Sequence, residues 1–323
     1  MTSAGVAVRL VATAAPHQGR GHLNRALAVG EALARLDVRS ELDLVRGRLT
    51  TIETERAREV GIELLAQPPT SPSGVAYVDL PDPNEAAARA GSARTAVMDD
   101  LDRFTGRAAL VIQPSRPRWT GSGRAGRVLE GFGMVPIAAV YRRLRTVRHH
   151  DPVLGQPPRV VACFGGSDPA RVSERLMGSL IGDGWRTDLI LGAAYGGLTD
   201  RWPIEPVRDP ADLPERMAAA DLLVLAAGTM KFEAACLGRP ALLLAVADDQ
   251  LEVGPSFAAT GAATYLGDGR TVSPEIIHAE IAALLGDQAR LTATGIRAAE
   301  VVDGQGADRI AGALVDLLEG ADR

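Results

Sequence analysis

The sequence predicts an α/β protein made of two doubly wound domains that face one another across a cleft. Three observations lead there. Short apolar runs alternate with segments of helical period along most of the chain. The alternation restarts after a polar, proline-containing stretch, Arg142 to Arg159. A length of 323 residues exceeds one ordinary core and suits two. The expected domains are 1–146 and 159–323, joined by a linker at 147–158, with the last helix able to pack back on the first domain.

The elements follow in order. "VRLVATA" is a strand, and His22 to Leu36 a helix whose Leu23, Ala26, Leu27, Gly30 and Leu33 share a face. "SELDLV" is a second strand, and "TTIETERAREVGIELL" a helix, a glycine turn and a strand. "TAVMDDL" and "AALVIQP" are strands, and "RVLEGFGMVPIAAV" a turn with a further strand. In the second half "VVACFGG" is a strand entering a glycine turn, and "DPARVSERLMGSL" a helix. "RTDLILG" is a strand, and "DPADLPERMAAA" a helix with Asp212 as N-cap and Glu215 completing a capping box. "DLLVLAAG", "TMKFEAACLG", "PALLLAV" and "AATYLGD" read as strand, helix, strand and strand, and three helical patterns close the chain.

Composition excludes several classes. Hydrophobic residues make up 46% and charged residues 23%, as in ordinary globular proteins. A net charge of −5 disfavours a basic nucleic-acid binder. No apolar run approaches the ~20 residues of a membrane span, which leaves peripheral membrane association open. "VAVRLVATAAP" imitates a signal peptide, but Arg9 interrupts it and no basic segment precedes it, so a first strand and a cytoplasmic protein are expected. Cys163 and Cys236 lie far apart in apolar runs without a C-x-x-C pair and are expected as buried free thiols. His149 and His150 fall in the polar linker and are expected to be solvated.

In open α/β sheets ligands bind beyond the carboxyl ends of the strands. Four segments fall there. Gly19-Arg20-Gly21-His22 opens the first long helix. His22 is a candidate general base or merely a helix cap, and Arg20 and Arg25 either bind an anion or are solvated. His17 lies earlier in the same loop. Asp99-Asp100 ends a strand. Gly165-Gly166-Ser167-Asp168 and Ala227-Gly228-Thr229 each join a strand to a helix and suit a diphosphate, although each is also a good turn in its own right. Neither is a Walker A loop or a G-x-G-x-x-G fingerprint. Glu233, one turn past Thr229, either accepts both hydroxyls of a ribose or lies on a solvated face. Lys231 is the only lysine. Either chance put it in a first helical turn, where the dipole disfavours it, or its ammonium meets a bound phosphate or a charged group on the sugar.

Taken together, "GRGHLNRALAVGEAL", "VMDDL", "CFGGSDP" and "AAGTMKFEAACLGRPALLL" resemble the UDP-sugar hydrolases of pseudaminic acid biosynthesis. They are equally similar to the predicted glycosyltransferases of spore-coat polysaccharide synthesis. Both are relatives of the peptidoglycan UDP-N-acetylglucosamine transferase, with the GT-B fold. The resemblance runs from about Val8 to Leu266. It implies His22 as the base, Gly19, Arg20 and Gly21 in its loop, and Gly165, Gly166 and Ser167 as a glycine loop. It further implies Ala227, Gly228 and Thr229 at the diphosphate, Glu233 at the ribose and Gln250 at the sugar. Lys231 with Phe232, "VIQPSRP" and the long loop "PHQGRGH" depart from the family pattern.

The expected partner is therefore a UDP-sugar donor, with an acceptor glycan or small molecule if the sugar is transferred. Attack of water at the anomeric carbon, releasing UDP and free sugar, is the leading expectation. Transfer to an acceptor hydroxyl is the first alternative, and a catalytically silent sugar-nucleotide-binding protein the second. No metal or cofactor is required. Asp100 is expected in the substrate site, and Asp99-Asp100 is the nearest approach to a metal-binding acidic motif.

Overall fold

The computed structural model describes residues 7–15, 19–67, 74–90, 94–147, 157–197, 199–200 and 202–320. His17, His149, His150 and most of the expected linker lie outside them. The chain divides into two compact units, Met1–Ala139 with Gly304–Arg323, and Val140–Asp303.

The first unit contains β1 (Val8–Ala14), α1 (Gly21–Ala34), β2 (Ser40–Gly47), α2 (Thr51–Glu59), β3 (Glu63–Leu64), β4 (Val75–Asp79), α3 (Pro83–Ala90), β5 (Arg94–Met98), β6 (Arg107–Gln113) and β7 (Arg124–Glu130). Its seven strands are parallel in the order β3-β2-β1-β4-β5-β6-β7. The order reverses between β1 and β4, which pair from Val8 with Val75 to Ala12 with Asp79. Both strands are wholly buried, as expected of parallel strands covered by helices on both faces.

The second unit begins within α4 (Ala139–Val147). It continues with β8 (Arg159–Cys163), α5 (Val172–Leu176), β9 (Arg186–Leu191), β10 (Val207–Arg208), α6 (Leu213–Ala219), β11 (Leu222–Ala226), α7 (Met230–Cys236), β12 (Ala241–Ala245), α8 (Asp248–Ala258), β13 (Thr264–Asp268), α9 (Pro274–Gly286) and α10 (Gln288–Val301). Its six strands are parallel, in the order β10-β9-β8-β11-β12-β13, with the reversal between β8 and β11. α11 (Gly306–Glu319) returns to the first unit, where Ile310, Ala311 and Leu314 share a core with Leu23 and Leu27 of α1.

Several elements differ from expectation. β4 has no counterpart among the assigned strands. The strand placed after the turn in "RVLEGFGMVPIAAV" lies before it, as β7. β7 is a sheet edge that exposes Arg124, Arg127 and Glu130, and Pro136 cannot donate to a ladder, so the apolar signal there is misleading. α5 begins four residues later than expected because Asp168 has φ +39° and Arg171 φ +51°, neither of them helical. Asp212 sits at the start of α6 but makes no cap; its carboxylate accepts from Arg216 Nε at 2.9 Å. Both cysteines are free and buried, and burial pushes each thiol up to about 12.

The position of α11 generates a test. Ile310→Ala deletes a side chain with no exposed surface and should cost about 2–5 kcal/mol. In urea melts the loss should fall on the transition of the first unit and leave that of the second unmoved.

Candidate functional site

His22 lies in the first turn of α1, directly beyond the carboxyl end of β1. Asp79 ends β4, the strand on the other side of the reversal point. Strand order therefore brings together two residues 57 positions apart, and His22 Nδ1 is 2.7 Å from Asp79 Oδ1. Three residues after His22, on the same face of α1, Arg25 donates from Nε and Nη2 to the two Asp79 oxygens at 2.8 and 2.7 Å. The Tyr77 hydroxyl adds a fourth donor at 3.1 Å. Asp79 has no exposed surface.

Burial opposes the charged form of Asp79, but the Arg25 charge, His22 and their hydrogen bonds outweigh it and hold the carboxyl below its ordinary range. Burial likewise opposes the Arg25 cation, and Asp100 and Asp79 more than offset it, leaving the guanidinium above its usual value. Burial, then the Asp79 charge, lift the Tyr77 phenol well above its own. An ionised carboxylate only accepts. The proton in the 2.7 Å contact is thus on His22 Nδ1, so that in the neutral ring the lone pair belongs to Nε2. The 3.2 Å approach of Arg25 Nη2 to Nδ1 is then a neighbouring charge and not a hydrogen bond.

Arg25 also donates from Nη1 to Asp100 Oδ2 at 2.7 Å, and Ser115 Oγ donates to Asp100 Oδ1 at 2.6 Å. Asp99 points elsewhere. It accepts from the backbone of Arg103 and Phe104 and from the Trp119 indole, so it holds the loop together. Among the described residues no His, Cys, Asp and Glu cluster has the geometry of a metal site.

In the first loop Gly19 adopts φ +71° and Gly21 starts α1, and neither Arg20 nor Arg25 is merely solvated. Arg20 Nε donates to Glu53 at 2.8 Å and Nη1 to the Arg48 carbonyl at 3.0 Å, tying the loop to α2. Arg25 is the buried partner of Asp79. Sequence reasoning missed Asp79 and Ser115. "VAYVDL", an apolar run ending in an acid as "VMDDL" does, was the available signal.

In the second unit the two glycine turns leave the same edge of the sheet from adjacent strands, β8 and β11. Gly165 has φ +101°, open to glycine but rarely to other residues. The Gly166 carbonyl accepts from Ala194 at 3.0 Å, and Gly192 lies so close that a Cβ there would fall 2.3 Å from Gly166 Cα. Ser167 precedes Asp168, whose buried carboxylate accepts from the amides of Val172 and Ser173 at 2.9 and 2.8 Å. The start of α5 is therefore filled by the chain's own anion.

At the second turn Thr229 makes no side-chain cap. Glu233 lies in the first turn of α7, and Gln250 comes in from α8. The Gln250 Oε1 accepts from Val246 N at 3.0 Å, and its Nε2 stands 3.3 Å from where a Gly228 Cβ would be. Lys231 is not a flexible surface charge. It is 2% exposed, and its ammonium donates to the carbonyls of Ala227 and Gly228 at 2.9 and 3.1 Å while lying 4.1 Å from the Phe232 ring centroid. It shapes the turn from behind.

Two predictions follow from these contacts. The depressed Asp79 carboxyl contributes stability above its ordinary value of 3.8 and loses it as pH falls through the lower folded value. Urea melts of the parent and Asp79→Asn should therefore differ most near neutral pH and converge in acid below that value. Lys231→Met leaves two carbonyls short of a charged donor and should destabilise the second unit by about 1–3 kcal/mol. Stabilisation, the expectation for a ligand-facing lysine, would return Lys231 to that role.

No family model matches the chain. A segment of 116 residues is 32% identical to the spore coat polysaccharide biosynthesis protein SpsG of Bacillus subtilis (strain 168), covering 36% of this chain and 33% of that protein. The match thus spans about a third of the relative's length. Among solved structures, the spinosyn forosaminyltransferase SpnP superposes with a TM-score of 0.64 at 12% identity, over 98% of this chain and all of SpnP. MurG of Acinetobacter baumannii gives 0.62 at 14% identity, over 96% of this chain and all of MurG. A UDP-GlcNAc 2-epimerase from Neisseria meningitidis, bound to UDP-GlcNAc, gives 0.59 at 11%, over 96% and 100%. At these identities the likeness concerns the fold alone, which hosts more than one chemistry. The chain has the GT-B fold, with a parallel-sheet α/β unit in each half.

Proposed function

We propose that the chain is a glycosyltransferase of polysaccharide biosynthesis that moves a sugar from a nucleoside diphosphate, UDP in kind, to an acceptor hydroxyl. The observation that carries this reading is the His22–Asp79 pair at the reversal point of the first sheet. His22 Nε2 takes the proton of the acceptor hydroxyl as its oxygen bonds to the anomeric carbon. The bond from that carbon to the phosphate oxygen breaks, and its electron pair leaves with the nucleoside diphosphate. Asp79 keeps the ring in the required tautomer and stabilises the imidazolium, as a buried carboxylate does for a catalytic histidine. Amides of Gly165, Gly166, Ser167, Ala227, Gly228 and Thr229 would meet the diphosphate, a preorganised stabilisation of the leaving group. Glu233 would hold the ribose and Gln250 the sugar.

Water could be activated by the same pair, and the sequence alone favours hydrolysis. The comparisons lend hydrolysis no support. The spore-coat relative and the transferases among the structural neighbours support transfer instead. The deciding experiment supplies UDP- and GDP-sugars with and without cell extract and follows free nucleoside diphosphate. Release that depends on extract is expected; equal release without it means hydrolysis. His22→Ala should lower turnover by ~10²-fold or more while UDP affinity, measured by calorimetry, stays at the parent value. Turnover at the parent rate would reduce His22 to a structural partner of Asp79.

A further inference from the structure

Three carboxylates follow β5 within four residues, and the fold uses them differently. Asp99 is buried and accepts two backbone donors of its own loop and the Trp119 indole from the loop after β6. Asp102 accepts from Gln113 Nε2 at 2.6 Å and Thr120 Oγ1 at 2.7 Å and lies 3.8 Å from Arg116. These two fasten the loop after β5 to the loop after β6. Asp100 is also fixed at both oxygens, by Ser115 and Arg25, yet its side chain stays 23% exposed. The Arg25 side chain between Asp100 and His22 is 6% exposed, and His22 is 18% exposed.

A buried guanidinium is thus flanked by two partly open groups, a base and a carboxylate, each held in one orientation. Arg25 already neutralises Asp79 through two hydrogen bonds. Serving a second carboxylate leaves the group with one net negative charge while the imidazole is neutral. Being partly open, Asp100 keeps lone pairs that a further donor can reach, beyond those used by Ser115 and Arg25.

We propose that Asp100 orients the acceptor in the transfer reaction. Its open lone pairs accept from a second donor on the acceptor, a hydroxyl or an ammonium, while His22 takes the proton of the attacking hydroxyl. The proposal rests on the transfer reading and narrows it to an acceptor class. The acceptor is a polyol or an amino alcohol, neutral or cationic near its nucleophile. A carboxylate or phosphate at that position meets the one net negative charge of the group, on its open side at Asp100.

The test replaces the unknown acceptor with four small nucleophiles: glycerol, 2-aminoethanol, 1-propanol and glycolate. With a donor that the enzyme turns over, glycerol and 2-aminoethanol should give glycoside, read by mass spectrometry, with kcat/KM about tenfold above 1-propanol. Glycolate should give none. Asp100→Asn should erase that preference through KM, and Asp100→Glu should restore part of it. Ser115→Ala keeps the charge but frees the carboxylate, and should fall between. Thermal melts establish that each variant is folded.

Binding is read without turnover from the His22 ring resonances, assigned by their loss in His22→Gln. They should shift with 2-aminoethanol, stay still with glycolate, and lose the shift in Asp100→Asn. A parent with no preference among the four, or an Asp100→Asn that keeps the preference, overturns the proposal. Selective shifts without turnover of any donor support the acceptor site and sink the transfer reading. Neither shifts nor turnover sinks both.

Discussion

A fully covered carboxylate is tolerable only when its charge and its lone pairs are both answered, because removing one partner of such a pair costs about 3–5 kcal/mol. Asp79 is answered by Arg25 through two hydrogen bonds, by the His22 ring and by the Tyr77 hydroxyl. The rest of the first unit's site depends on this arrangement. It fixes the His22 tautomer, it sets the distance between the carboxyl end of β4 and the start of α1, and it leaves Arg25 Nη1 to position Asp100. A lysine could not do the same, since a single ammonium cannot grip one carboxylate with two parallel donors and reach another.

The second unit answers its own charges in a similar way. Asp168 fills the start of α5, and Lys231 covers the carbonyls behind the Ala227–Gly228 turn. Both are residues whose charge alone would suggest a ligand. In each case the backbone supplies the counterpart.

Much of this was legible in the sequence. The alternating pattern located most strands and all three closing helices, and the glycine turns marked the carboxyl edges where His22 and Thr229 lie. The unread parts share a physical cause. β4 is as short and as buried as β11 and β12, which the sequence does reveal, but its run carries Tyr77 and ends in Asp79, a carboxylate answered elsewhere in the chain. Arg25 carries a charge that reads as surface, and only a partner 54 positions away makes it interior. Asp212 has the composition of a cap, but its own Arg216 competes for the carboxylate. Local pattern reports periodicity and turn chemistry; it does not report which distant side chain closes a buried network.

The return of α11 to the first unit has a consequence for biosynthesis. The second unit is one uninterrupted stretch, Val140–Asp303, whereas the first is assembled from both sides of it. On the ribosome, the second unit therefore has all of its own sequence before the first does. The first must wait, with the face that α11 will cover on α1 still open, until residues 306–319 emerge. During that interval the apolar face of α1 that will pack against Ile310 and Leu314 stays open to solvent.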